Sequence, residues 1–358
     1  MPDLFWTPHS GYHWNHSHNR FFEGWYFRLT LPAVAESFAF MYSIDDPSGH
    51  SSISGGAAQI LGPGEQYVYC AFPHANQFWA WPHCLGLGHW GTASSASAQH
   101  LPAGRFFPMV ERGYQVTATR HQGCLEDSET GAITRWDYTI KPIYGWGRLA
   151  SPQLPTAGWL SYLPIFEPGW QVLMAHGLAT GWAEWQDQRY EFSQAPAYAE
   201  KNWGGAFPER WFWMQCNSFD NEPDLTVTAA GGLRQVLGFQ ETVGLVGLHY
   251  QDQFISLSSL QARIAWNVAP WGSWELTVDN HRYRITLTGK TDRKSVAVRV
   301  PTRIGLKPVC WDTTLGHLTL KAWHKSAPNA KKLIVSATSK LAGLEVGGTG
   351  WSKSWEFS

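Results

Sequence analysis

Two stretches of this sequence set a glutamate at the mouth of a run of large aromatics that alternates like a β-strand. The first is RFFEGWYFR (Arg20–Arg28), and YAEKNWGGAFPERWFWMQCNSF (Tyr198–Phe219) echoes it. Burial among rings disfavours the charged form of a carboxyl and raises its pKa, so such a group can keep its proton at neutral pH. The faces of neighbouring tryptophans stabilise a developing cation by roughly 0.5–2 kcal/mol per well-placed ring. A retained proton beside a cage of rings is what protonating an alkene requires. Glu23, Asp45, Asp46, Glu167, Glu200 and Glu241 are the carboxylates set among tryptophans. Each can instead be a strand-end cap or an ion-pair partner, Glu23 with Arg20 and Glu200 with Lys201.

Other candidates are weaker. His9, His13, His16 and His18 stand close together in TPHSGYHWNHSHNR, but no carboxylate or cysteine completes a recognised metal spacing. No metal is therefore expected, and these histidines read as exposed or packed in a loop. In NQFWAWPH (Asn76–His83), Phe78, Trp79 and Trp81 suit a dip into a bilayer interface or a hairpin packed on its own barrel. The hairpin is the preferred reading. There is no G-x-S-x-G, no Walker loop and no G-x-G-x-x-G between a strand and a helix. The glycines of GLEVGGTG (Gly343–Gly350) fall in a strand pattern and make a poor phosphate cradle, so nucleotide chemistry is not expected.

The elements that must position these residues read as strands. Short runs such as Glu23–Leu31, Phe38–Ile44, Trp211–Phe219 and Val243–Tyr250 are bounded by Gly, Pro, Asn, Asp or Ser at all-β spacing. Helical turns near Leu233–Val236 or Ala327–Lys332 are the most helix expected. Alternation puts Glu23, Trp25, Phe27 and Leu29 on one face, and Tyr26 and Arg28 on the other. It likewise groups Trp211, Trp213, Gln215 and Asn217, a mixture that resembles a pocket lining. Gly145–Pro168, rich in Pro and Gly, reads as a lid or a crossover. With 358 residues and two echoing motifs, the chain divides into two barrel-like units, 1–195 and 196–358. Closed barrels remove sheet edges and can enclose one apolar ligand.

Composition narrows the partners. The net charge is −1, without runs of like charge, so no nucleic-acid partner is expected. The 22 tryptophans are more than a core requires. Five cysteines without a C-x-x-C read as reduced thiols of a cytoplasmic protein. The N-terminal residues show neither a signal-peptide nor a transit-peptide pattern. No apolar window reaches the roughly eighteen residues of a spanning helix. The expectation is a protein in the cytoplasm, peripheral on a thylakoid or other inner membrane.

TPHSGYHWN, RFFEGWYFRLTLP, FAFMYSIDDP, GWLSYLPIFEPGWQVLMAHGLATGWAEW, YAEKNWGGAFPERWFWMQCN and LEVGGTGW resemble the tocopherol cyclase family of cyanobacteria and plastids, in its cyanobacterial form. The resemblance runs from about Thr7 to near the C-terminus. It implies an all-β fold of two lipocalin-like, calycin-type barrel domains with little helix. It also implies a prenylated benzoquinol substrate, such as 2,3-dimethyl-6-phytyl-1,4-benzoquinol. An enzyme acid protonates the side-chain alkene, and the phenol oxygen traps the tertiary cation to close the chromanol ring of γ-tocopherol. No redox change occurs and no cofactor is needed.

Within that chemistry Glu200 is the first choice of proton donor, with Asn202 and Trp203 positioning the phenol and shielding the cation. Glu23, with Trp25 and Tyr26 beside it, is second, and Asp45 third. Trp213, Gln215 and Asn217 would line the quinol pocket, Gln and Asn hydrogen-bonding its two hydroxyls. The alternatives are a non-catalytic lipocalin-like isoprenoid-binding protein and a related carotenoid hydratase. Further from these stand a Trp-rich glycosidase or sugar-binding module and a metal-dependent oxygenase built on the N-terminal histidines.

Overall fold

In the strand Phe22–Leu31, extended backbone turns Trp25, Phe27 and Leu29 to one side and Tyr26 and Arg28 to the other, and both sides are covered. That double burial sets the architecture, because the strand lies between the core of its own sheet and a second sheet. The computed structural model describes residues 7–16, 20–90, 99–163, 166–236, 239–327 and 330–358. Among them the strands form one sheet of eleven and one of twelve, and the only α-helix is Ala103–Met109. The chain is all-β, as its resemblance implied. The expected helical turns are a correction: Leu233–Val236 ends the strand Thr226–Val236, and Ala327 and Ala330 to Lys332 pair as strand ends. Pairing with the neighbouring strands supplies the backbone partners that a lone turn would lack.

The two motifs that echo in sequence occupy equivalent places. Phe22–Leu31 lies between Glu36–Asp45 and Gln188–Gly204 in the N-terminal sheet. Arg210–Cys216 lies between Thr226–Val236 and Ala330–Gly348 in the C-terminal one. The N-terminal sheet ends at Tyr67–Phe72 and Phe78–Ala80, which are consecutive in the chain, so it curls back without a hydrogen-bonded seam. The chain changes sheet between Gly204 and Arg210, beyond the expected 195/196 boundary, which falls inside the strand Gln188–Gly204. Gly145–Pro168 is a crossover. It leaves the N-terminal sheet after Tyr144, pairs Phe166–Glu167 with Gln235–Val236 of the other sheet, and returns at Gly169.

Each sheet fills its own interior. Phe27, Phe40, Tyr42, Tyr114, Trp136 and Tyr138 occupy the N-terminal one, and Phe212, Met214, Trp266, Trp274 and Leu344 the C-terminal one. A third cluster, with Trp146, Val172, Tyr198 and Trp213 at its centre, lies where the sheets meet. Buried Arg28 fastens this seam. Its guanidinium donates to Gln215 Oε1 at 2.9 Å and to the carbonyls of Thr314 and Leu341 at 2.8 and 2.7 Å. Gln59 exchanges two 2.9 Å bonds with the Arg299 backbone, and Asn217 donates to the Ala197 carbonyl at 2.9 Å.

Arg28→Met keeps the stem but leaves three buried acceptors unpaired. It is expected to lower stability by about 3 kcal/mol, read as a shift in the urea midpoint. Gln59→Ala, nearer the edge of the seam, is expected to cost less.

Candidate active site

Residues directly opposed on antiparallel neighbours share a face. On the N-terminal sheet one such row is Met41, Tyr26, Glu200 and Val172. On the C-terminal sheet another is Asp312, Glu345, Trp213 and Ala230. The rows meet across the seam. The Tyr26 ring stands edge-on to Trp213 with centroids 5.3 Å apart, and Trp213 Nε1 donates to Glu200 Oε2 at 3.0 Å. One row towards Arg28 the sheets are bolted together. One row the other way lie Ser43, Gly24, Asn202 and Trp170, facing Cys310, Gly347, Trp211 and Gly232. There the gap opens into a cavity of about 1040 Å³, at the upper end of the roughly 300–1,000 Å³ usual for ligand sites.

Glycine makes that room. A Cβ on Gly24 would meet nothing nearer than 3.7 Å, and one on Gly232 nothing nearer than 3.9 Å. Trp159, Leu160 and Leu260 stand towards the opening, and Trp170, Trp211 and Trp213 line the walls.

Glu200, Glu241 and Glu345 line this cavity; Glu241 is exposed and pairs with Arg234, whereas Glu200 is buried in the wall. It is 7% exposed, and its Oε2 accepts both the Tyr198 hydroxyl at 2.6 Å and the Trp213 indole. Tyr198 and Trp213 both engage Oε2, so Oε1 is the oxygen left to carry an acidic hydrogen toward a substrate. Burial pushes the carboxyl up to about 7, helped by the charge of Glu345 and opposed by donors from Tyr198, Trp170 and Trp213. A carboxyl so poised keeps much of its proton at neutral pH and gives it up to a receptive carbon.

Several sequence-based assignments are corrected. Glu23 points into the N-terminal core and pairs with buried Lys201, and the backbone N–H of His13 donates to it at 2.9 Å. Burial alone would raise it, but Lys201 and then His13 outweigh that and hold it below the usual range. It is ionised and has no proton to give. Asp45 pairs with Arg20, the partner first assigned to Glu23. Burial raises it to about 6 against that arginine, but it lies outside the cavity wall. Trp203 stacks on His13 at 4.0 Å rather than facing a substrate. Gln215 accepts from Arg28 and Asn217 donates to Ala197, so both serve the seam and not a quinol. Trp25 borders the cavity, but its ring packs with Tyr12 and Phe78. Glu200, Asn202, Tyr26 and Trp213 are the expected site residues that the fold brings together on the cavity wall.

The histidines have other work. His9 Nδ1 lies 3.2 Å from His13 Nε2, and His9 Nε2 lies 3.0 Å from Ser161 Oγ, tying the crossover to the N-terminal segment. His18 falls outside the described residues. Among those described, no three of His, Cys, Asp and Glu are grouped to hold a metal ion. Trp79 and Trp81 are half-buried and pack over Gly88 and Gly86, the hairpin of the preferred reading.

Sequence reasoning missed Asp312 and Glu345. LEVGGTG was read for its glycines, and the carboxylate between them was passed over. Only strand pairing sets Glu345 opposite both Asp312 and Trp213.

Comparison with known proteins gives a consistent result. The family model described as tocopherol cyclase-like matches residues 19–348. A probable tocopherol cyclase, chloroplastic, of Oryza sativa subsp. japonica is 40% identical over 378 residues, covering 98% of this chain and 80% of that protein. The tocopherol cyclase, chloroplastic, of Zea mays is 40% identical over 377 residues, covering 98% and 79%. Among solved structures, the crystal structure of CghA superposes with a TM-score of 0.51 at 8% identity, covering 92% of this chain and 89% of that one. That last likeness is one of fold alone.

The donors to Oε2 favour the ionised carboxyl, so removing one raises the pKa. Trp213→Phe is expected to move the alkaline limb of the kcat/KM profile, set by Glu200 near 7, to higher pH. An unmoved limb would mean that another group sets it.

Proposed function

Because this chain belongs to the tocopherol cyclase-like family, we propose that it closes the chromanol ring of its product with Glu200 as the proton donor. The activity is that of a tocopherol cyclase and the substrate is a prenylated quinol. The observation that carries the assignment is the hydrogen-bonding of one buried carboxyl. Oε2 is engaged by Tyr198 and Trp213, which leaves Oε1–H as the deliverable proton.

The quinol ring and the first part of its chain lie between the sheets, folded so that phenol oxygen and alkene meet. Holding the two together supplies much of what makes an intramolecular closure fast. Oε1–H breaks and a C–H bond forms at the less substituted alkene carbon, leaving a tertiary cation. Trp170, Trp211, Trp213 and Tyr26 line the wall around it, where a ring face turned to the cation stabilises it, and they exclude water that would trap it as an alcohol. The phenol oxygen forms the C–O bond, and its O–H breaks, the proton passing to a carboxylate of the cavity wall. Asn202, on the wall beside Glu200, is placed to hold a quinol hydroxyl.

The same cavity supports a peripheral membrane contact. Trp159 is 72% exposed and Leu260 77%, and both border the cavity. Tyr162 follows on the same crossover at 57%, and Phe239 at 77% begins a strand whose hairpin partner, ending at Val236, pairs with Phe166. Exposed indole and phenol rings settle at a bilayer interface, and a lipid tail can pass from there into the gap.

Two experiments test these readings. In D₂O, a single turnover places one deuterium on the ring carbon next to the new C–O carbon, and Glu200→Gln lowers turnover at least about a hundredfold while quinol binding persists. A mutant near the wild-type rate removes Glu200 from this role. Tyr162→Ser with Phe239→Ser is expected to weaken vesicle binding by about tenfold, with little change in turnover of detergent-solubilised quinol. Vesicle binding at the wild-type level would place the membrane contact elsewhere.

A further inference from the structure

Glu345 and Asp312 form an acidic pair, opposite each other on neighbouring strands of the C-terminal sheet. Glu345 lines the cavity, and its Oε1 accepts the Trp211 indole N–H. Asp312 is fully buried, and among the described residues no side chain donates to either of its oxygens, the Thr313 backbone N–H being the donor beside it. Tyr26, which lines the same cavity, has a buried hydroxyl that is without a partner among those residues. Tyr26 stands directly opposite Glu200 on the neighbouring strand and edge-on to Trp213, the strand neighbour of Glu345, and the charges around its hydroxyl are those of Asp312, Arg28, Glu345 and Glu200.

A buried carboxyl that no side chain partners costs stability, so packing does not account for Asp312. Two adjacent carboxyls kept from water do not both ionise, so at most one of them carries a charge. Burial raises both. The charge of Glu345 and then of Glu65 raises Asp312 further against Arg28, and donors from Trp211 and Cys310 offset part of the rise at Glu345. Arg28, Glu65, Cys310, Tyr26 and Glu200 are thus the titratable or charged groups that face the pair.

We infer that the Glu345–Asp312 pair accepts the phenol proton as the ring closes, and that Tyr26 returns it to Glu200. The inference rests on Glu200 as the donor. Glu200 loses its Oε1 proton to the alkene carbon and becomes a carboxylate. The phenol oxygen forms its C–O bond to the cation, its O–H breaks, and the proton passes to the carboxylate of the pair. The pair, now holding two protons, gives one to the Tyr26 oxygen while Tyr26 O–H passes its own to Glu200. Nothing is oxidised or reduced, and the enzyme is reset without waiting for a proton from solvent.

The test is rapid-quench kinetics of the full-length enzyme with solubilised quinol. Glu345→Gln is expected to form about one product per enzyme in a burst, and then to turn over at least about tenfold more slowly than wild type. Glu345→Asp restores part of the steady rate, and added imidazole speeds the slow phase, which a merely structural lesion would not allow. Tyr26→Phe gives the same burst and slow phase, and carries the test alone if Glu345→Gln does not fold. A steady rate within about twofold of wild type in both variants overturns the proposal, since Glu200 then recovers its own proton. Loss of the burst in a folded, quinol-binding Glu345→Gln also overturns it, by placing Glu345 in the first step. Glu200→Gln is run beside them: a burst there would sink the donor assignment and not the return path.

Discussion

The desolvation of one carboxyl between two sheets is the constraint on which the rest depends. Glu200 sits where the outer face of the N-terminal sheet meets the outer face of the C-terminal sheet, and neither sheet alone could bury it. Tyr198 approaches it from its own strand and Trp213 from the other sheet. These donors set which oxygen is free, and burial sets how tightly it holds its proton. Acid strength and aim therefore both derive from the packing of the two halves.

The seam that creates this environment is graded along its length. At one end Arg28 ties three acceptors of the C-terminal sheet to the N-terminal one and closes the gap. One residue pair further the rows carry Tyr26, Glu200, Glu345 and Trp213. One pair further still they carry glycines, and the gap becomes a cavity. The crossover from Tyr144 to Gly169 caps it, held by Trp146 against Gly247 and Phe254 and by Ser161 against His9. A cavity between the sheets leaves each core free to be packed solid with aromatics.

Much of this was legible in the sequence. The alternation in EGWYFR and ERWFWM gave strand faces correctly, and their echo marks equivalent strands of the two sheets. Glu200, Asn202 and Trp213 were chosen from their company of rings, and all three stand on the cavity wall. Alternation does not say which face is the core, so Glu23 was offered as a proton donor although its face packs into its own sheet, and nothing marked Arg28 as the tie of the seam. The partner of a charge is also invisible until strands pair. Arg20 and Lys201 each stand beside a different carboxylate from the one sequence proximity suggested. Asp312 and Glu345 are 33 positions apart and meet only through register.

The most direct test of the central claim is the protonation state of Glu200 in the substrate-free enzyme. Infrared difference spectra between wild type and Glu200→Gln, recorded across pH, isolate that one carboxyl. The account predicts a protonated C=O stretch at neutral pH that is missing from the variant and gives way to a carboxylate signal with a midpoint near 7. A spectrum in which the variant lacks only a carboxylate band, unchanged down to pH ~5, would show an ordinary ionised glutamate and contradict it.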